Sequence, residues 1–385
     1  MAETADVLVI GGGVAGTAIT YALASRGVRV VLCEQAALAS GASGRSSALV
    51  RMHYTNEWDA RLAWASYPLF RDWPERMGEP PVFTRTGFLN VVGPAYAEHL
   101  RRNVEMLRRI GVETTAMTPD AVRAIQPALA VDDVGAAAYE PGSGYASPVE
   151  VVQGFGRRAL DLGARIREWT PVSRILRGTG RVIGADTAAG RIDAGATVQV
   201  RRPPDLGPPH LTVIDNVLGS YFRPEGASLT LVGVPCQTWD VDPDDLAGRA
   251  VGLPPGVAEA GARILVHRLP AMARATLARG YRAFDGYSDD RHAILDRVDG
   301  LDGLYLATGF SGSGFKIAPA VGTCVAELIL DGEARTVDIR PFGLARFAEG
   351  RPLEGPYPYA PRAHDAAPNS SVASPTPFSS APSFR

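Results

Sequence analysis

Asp6-Val7-Leu8-Val9-Ile10 is a short apolar run that breaks into Gly11-Gly12-Gly13-Val14-Ala15-Gly16. Helix formers follow over 17–26, with Ile19 and Leu23 four apart, and Gly27 stops them. A second apolar run, 28–33, ends at Glu34. This order predicts strand, helix and strand, a βαβ unit. Leu62, Ala65, Leu69 and Trp73 recur at three or four and predict a helix over 58–73. A strand is expected over 87–92 and a charged amphipathic helix over 98–110. Thr118 stands as an N-cap ahead of Pro119 and starts a short helix. Residues 139–145 read as a glycine-rich loop and 148–162 as a helix.

Further on, 172–200 predicts two or three strands in a meander, turning at Ala188-Ala189-Gly190. Strands are expected again over 212–234, with Pro224-Glu225-Gly226 as the turn. Residues 269–278 read as helical, 304–307 as a strand, and 318–330 as a helix ended by Gly332. Beyond about Arg351 the chain is rich in Pro, Ser and Ala without periodicity, and 351–385 reads as a disordered tail. The pattern implies an α/β fold with a discontinuous Rossmann-like dinucleotide domain. Its C-terminal strand and helix would return to the N-terminal sheet. The middle strands would form an antiparallel-sheet substrate domain. The expected boundaries are 1–85 with 140–200 and 290–350 for the first, and 86–139 with 201–289 for the second.

Composition narrows the class. A chain of 385 residues with 46% apolar content can bury two cores. A net charge of −2 leaves no basic footprint for nucleic acid or membrane. Cys33, Cys236 and Cys324 show neither metal spacing nor a disulfide framework, which fits a reducing compartment. The acidic N-terminus lacks the basic flank of a signal peptide, and no stretch reaches the length of a spanning helix. These features point to a cytoplasmic protein without a metal.

The βαβ unit carries G-x-G-x-x-G, with an acid eighteen residues after the third glycine. Gly11 permits the tight turn, Gly13 lets backbone approach a pyrophosphate, and Gly16 lets the helix pack close to the strand. The helix N-terminus at Val14 and Ala15 offers N–H groups and a positive dipole end to phosphates. Glu34, followed by Gln35, can accept from ribose hydroxyls and disfavours a 2′-phosphate. NAD and FAD both satisfy these residues.

The chain's one lysine is Lys316, in Gly309-Phe310-Ser311-Gly312-Ser313-Gly314-Phe315-Lys316. Every other basic side chain is Arg, so this position calls for a compact ammonium rather than a planar fork.

Four segments give the chain a family resemblance over about 6–347. They are the fingerprint through Glu34; Ser40-Gly41-Ala42-Ser43-Gly44-Arg45-Ser46-Ser47-Ala48 with Arg51 and Tyr54; Tyr287-Ser288-Asp289-Asp290 with Ile294-Leu295; and 303–316 with Pro319. The chain resembles the FAD-dependent D-amino-acid oxidase superfamily, within it the sarcosine oxidase, glycine oxidase and dimethylglycine dehydrogenase group. The resemblance favours FAD over NAD. It implies a hydride equivalent passing from the substrate α-carbon to flavin N5, with the protein orienting a small amino acid or amine. By the same resemblance Arg51 and Lys316 grip the substrate carboxylate, Tyr221 faces the substrate, and Val172 contacts adenine. Ser43 to Ser47 supplies small side chains and N–H groups beside the pyrophosphate and isoalloxazine. Gly312 to Lys316 offers N–H groups to the charge of reduced flavin. Arg223 is a weaker candidate, and His53 and His292 read as loop or surface residues rather than bases.

The chain departs from that family in four places. The position of a flavin-linking cysteine is Ala283, and that of a linking histidine is near Arg45, so FAD is expected to be non-covalent. The lysine that activates oxygen in the oxidases has Thr230 as its nearest match, which leaves oxidase and dehydrogenase both open. Ser-Gly-Ser-Gly replaces the usual Ser-Gly-His-Gly at 311–314. After Val198 a family segment that touches FAD, with a helix and a strand beyond it, is absent. Either the cofactor site is rebuilt, or the chain binds FAD poorly and is a non-catalytic flavin-fold relative. An NAD-dependent oxidoreductase would leave the C-terminal glycine segment unexplained. The residues do not identify the amine, the electron acceptor or the oligomeric state.

Overall fold

The computed structural model describes residues 4–187, 192–241 and 253–359. The βαβ unit forms as strand Val7–Ile10, helix Val14–Ala24 and strand Val30–Cys33. The two strands pair in parallel, and Arg165–Arg167 adds a third beside Val30–Cys33. Helix Pro148–Asp161 leads into that third strand. The C-terminal helix Gly314–Asp331 lies against Val14–Ala24; a Cβ on Gly322 would stand 2.7 Å from the Ala18 carbonyl. Val9, Leu23, Leu32, Phe70, Trp73, Phe155, Ile317 and Val321 share the core of this layer.

The second sheet has eight strands in the order Thr276–Asp285, Ile192–Arg201, Leu229–Val241, Ser220–Glu225, Thr212–Asp215, Phe88–Val92, Ala136–Glu140 and Thr115–Met117. It is antiparallel except where Thr212–Asp215 runs parallel to Phe88–Val92. Its apolar face buries Val198, Val200, Phe222 and Val232 against Leu265 of helix Val257–Arg268.

Several expectations are corrected. Strand Ile192–Arg201 pairs on both edges within the large sheet, so the boundary drawn at 200 falls too late. The strand Tyr305–Thr308 pairs antiparallel with Ile294–Arg297, so only the helix that follows it returns to the N-terminal layer. The helix expected over 269–278 is a short 3-10 turn, Pro270–Arg274, running into strand Thr276–Asp285. The real helix, Val257–Arg268, precedes it and was hidden by Pro254-Pro255-Gly256. Pro224 and Glu225 belong to a strand, and Gly226 takes the left-handed turn. Residues 139–145 are two strand ends, Ala136–Glu140 and Gly144–Ala146, around a turn. The C-terminal helix starts at Gly314, which places Lys316 in its first turn and Pro319 inside it. Residues 351–359 of the expected tail are among the described residues and make contacts with the rest of the chain. The expected turn at Ala188-Ala189-Gly190 lies outside the described residues, as does the tail from 360 to 385.

Among the described strands, Val7–Ile10 has a hydrogen-bonded neighbour on one edge only. Leu8 and Ile10 are 38% and 51% exposed, although they belong to a central strand of this fold class. Residues 192–201 lie in the other sheet.

Candidate active site

The fingerprint has the geometry its glycines imply. Gly11 sits at φ 102°, where a side chain is strained, and its N–H donates to the Cys33 carbonyl at 2.8 Å. A Cβ on Gly16 would run into the Gly11 carbonyl, and one on Gly13 would stand 3.0 Å from Ser43 Oγ. Gly13 is the N-cap of Val14–Ala24, with Ala15 and Gly16 in the first turn. The Val14 N–H donates to Ser43 Oγ at 2.9 Å. Glu34 is buried and accepts from the N–H groups of Gly12 (2.6 Å) and Ala36 (2.9 Å). Gln35 is exposed beside it. A phosphate cradle that only glycine can line, a serine hydroxyl at its mouth and a buried acid at its ribose end fit a dinucleotide.

The second segment curls over this cradle as the 3-10 turn Ser43–Arg45. Gly44 is held against the Ala39 carbonyl, which a Cβ would overlap. The Arg45 guanidinium turns back onto the carbonyls of Ser40 and Gly41. Ser46 Oγ accepts from the Ala48 N–H at 3.0 Å and holds Ala48 at φ 50°. The Ser47 carbonyl accepts from Arg223 Nε at 2.6 Å. Arg223, buried on the large sheet and 4.2 Å over the Tyr145 ring, thus ties the two layers together. Val172 is half-buried just ahead of strand Ser173–Gly178.

In the fourth segment Gly309, Ser311 and Gly312 all have positive φ, at 61°, 50° and 80°. Ser311 is kept there by its hydroxyl, which accepts from the Ser288 N–H (3.1 Å) and donates to the Gly309 carbonyl (2.9 Å). Two N–H groups expected to face flavin charge have other partners: Gly312 donates to Asp285, and Ser313 to the Phe310 carbonyl. A Cβ on Gly314 would stand 2.9 Å from the Phe310 side chain, and Phe315 stacks on Phe70 at 5.7 Å. Lys316 is buried, with its Nζ 3.4 Å from the carbonyls of Gly312 and Ser313.

The two expected clamp residues come together. The Arg51 guanidinium lies 4.5 Å from the Tyr54 ring centroid, and Lys316 Nζ lies 5.7 Å from the same centroid. Arg51 also lies 5.7 Å over Phe88, so the pair stands where the two layers meet. The Arg51 Nε and the Tyr54 hydroxyl are buried with no hydrogen-bond partner among the described residues. Burial first, and the Arg51 charge second, push the Lys316 ammonium down to about 7. The Tyr221 ring covers Gly233, its cross-strand partner, and neighbours Tyr281.

Sequence reasoning passed over the residues that frame this pair. Tyr54 stood inside a quoted segment but had no role. Glu140 is buried, accepts from the Met52 N–H (3.0 Å) and Ser143 Oγ (2.6 Å), and has its carboxyl pushed up by burial. Asp59 is buried and 2.6 Å from His292 Nδ1. His53 is no surface residue: it is 2% exposed, and burial holds its ring down at about 3. Thr230, the nearest match to the oxygen-activating lysine, bonds buried His210 at 2.8 Å.

The sequence pattern of the family described as FAD dependent oxidoreductase (DAO) matches residues 6–200 and 194–328, so the chain belongs to that family. Its cofactor is FAD, which sets the NAD reading aside. The two matched stretches overlap at 194–200. The chain is similar to the sarcosine oxidase subunit beta of Arthrobacter sp, 26% identical over 383 residues that cover 91% of this chain and 92% of that protein. It is 25% identical over 381 residues to the glycine oxidase of Geobacillus kaustophilus (strain HTA426), covering 90% of this chain and 98% of that one. Among solved structures, L-proline dehydrogenase from P. horikoshii superposes with a TM-score of 0.82 at 24% identity, over 92% of this chain and 100% of the other. That likeness shows the shared fold. Among the described residues no helix is long and apolar enough to cross a membrane.

Proposed function

We propose that this flavoenzyme oxidises the C–N bond of a small amino acid or secondary amine whose carboxylate is held between Arg51 and Lys316. The observation that carries the reading is the convergence of these two cations on the Tyr54 ring, with Arg51 Nε buried and unpartnered. A buried donor without a partner is costly, and a carboxylate oxygen would satisfy it. The relatives named for sarcosine and glycine act on carboxylate-bearing amines, which supports the substrate class.

The roles follow from the side chains. Arg51 supplies the planar donor fork and Lys316 a second positive group. The Tyr54 ring stands beside both cations. A substrate amine that arrives neutral requires no strong protein base. When bound, FAD would supply the two-electron oxidation. The retained cation pair also argues against a non-catalytic relative. FAD is held without a covalent link, so acid precipitation should leave a yellow supernatant over a colourless pellet.

The test is a panel of small amino acids added to the FAD-loaded protein without oxygen. Bleaching of the flavin bands by at least one small amino acid is expected. A fully loaded protein that none of the panel bleaches would contradict the reading.

A further inference from the structure

The C-terminal segment past Arg351 ends on the support of Arg51. The Leu353 N–H donates to Asp290 Oδ2 at 2.9 Å, and Asp290 is itself locked by the Arg346 guanidinium at 2.6 and 2.9 Å. Gly355 presses on Thr55, whose carbonyl a Cβ would overlap. Helix Ala97–Arg109 then receives the chain. Asn103 Nδ2 donates to the Tyr357 carbonyl and to the Tyr359 hydroxyl, both at 2.9 Å. The His99 ring donates from Nδ1 to the Pro358 carbonyl at 2.7 Å. Tyr359 finally stacks on His53, with ring centroids 5.8 Å apart, its hydroxyl 2.7 Å from Nε2.

The hydrogen bonds have a direction. The Tyr359 oxygen accepts from Asn103, so its one proton is free to go to His53 Nε2. His53 is buried and its ring stays neutral, and its Nε2 pairs with that hydroxyl, the tautomer setting which of the two donates. The backbone carbonyl of the same His53 accepts from the Arg51 guanidinium. A hydroxyl near the end of the described chain therefore fixes the residue whose carbonyl orients one arm of the clamp.

We propose that Leu353–Tyr359 is a strap whose Tyr359 is a positioning residue for Arg51, acting through His53 to set the affinity for the substrate carboxylate. This deepens the proposed function and rests on it. Tyr359 does not touch the substrate in this account. Its effect falls on the grip and spares the chemical step.

The test uses the full FAD-loaded chain, titrated with acetate and followed by the perturbation of the flavin spectrum. Tyr359→Phe keeps the ring stack and removes only the hydroxyl. It should weaken acetate binding by about tenfold, with the flavin retained and the melting temperature little changed. With an amino acid that bleaches the flavin, KM should rise by a similar factor while kcat stays near wild type, a split that general loosening would not give. Asn103→Ala cuts the anchor from the other side and should act in the same direction, so it carries the test if the first variant fails to fold. If wild type binds acetate and both folded variants bind it equally well, the strap has no positioning role. If wild type itself binds no acetate, the carboxylate clamp falls and the strap falls with it.

Discussion

Lys316 Nζ lies 5.7 Å from the ring centroid of Tyr54, and the ring's other cation, Arg51, lies at 4.5 Å. Tyr54 therefore joins the glycine-rich C-terminal segment to the N-terminal one. Both positive groups lie within reach of its π-system, and cation–π attraction offsets part of their mutual repulsion.

Replacing Lys316 by Met should separate binding from stability. The ammonium is buried and disfavoured there, so removing it should leave the protein at least as stable in thermal unfolding. Carboxylate affinity below neutral pH should fall about 10- to 100-fold, the worth of a charge-assisted hydrogen bond. A variant that melts much earlier yet binds acetate normally would show Lys316 to be structural.

The pH dependence of that binding has a definite sign. The Lys316 ammonium titrates at about 7, and a bound anion favours its charged form. Carboxylate affinity should thus be full below this value, decline as pH rises through it, and level off where Arg51 acts alone. Stability runs the other way. The folded group holds its proton less tightly than the unfolded one, so this contribution rises as pH climbs from about 7 toward the ordinary lysine value. Acetate titrations check the first and denaturant unfolding the second, each run on wild type and Lys316→Met across that range, and the variant should lose both slopes.

The unpaired edge of the N-terminal sheet makes a third prediction. Leu8 and Ile10 are exposed, while Val9 between them is buried. Leu8→Thr and Ile10→Thr should change stability by no more than about 0.5 kcal/mol. Val9→Thr should cost about 1–3 kcal/mol, because it buries a hydroxyl. Denaturant unfolding distinguishes them, and a large cost at Ile10 would mean that another strand covers it.

A fourth concerns the large sheet. Asp215 and Arg268 are both fully buried and meet at 2.6 and 3.1 Å, and Asp133 adds a further contact to the guanidinium. Asp215→Ala leaves a buried cation with a single acidic partner and should destabilise by about 3–5 kcal/mol. Unfolding should show the loss while the clamp residues, on the other side of the sheet interface, still bind acetate at low temperature.

The parts legible in the sequence were those written in local chemistry. Gly11 and Gly16 are dictated by a turn and by a contact that no side chain survives, and Thr118 with Pro119 caps its helix as the residues demand, its hydroxyl accepting from the Ala121 N–H at 3.3 Å. Arg51 and Lys316 were visible through motifs. What could not be read depends on contacts between distant segments. Glu140 looked like loop because its role comes from burial beside Met52 and Ser143. Tyr359 sits in a Pro-rich stretch without periodicity, and only Asn103 and His53 give it a place. The sheet to which 192–201 belongs was equally hidden, since an alternating strand fits either and only its pairing with Leu229–Val241 decides.

The central claim is that the substrate is recognised by its carboxylate beside the flavin. The most direct measurement compares anaerobic flavin reduction by an amino acid with reduction by the same amine lacking the carboxylate, sarcosine against dimethylamine and glycine against methylamine. The expected result is bleaching by the carboxylate-bearing member of the productive pair and none by its partner at equal concentration. Equal reduction by both members would show that Arg51 and Lys316 do not select the substrate.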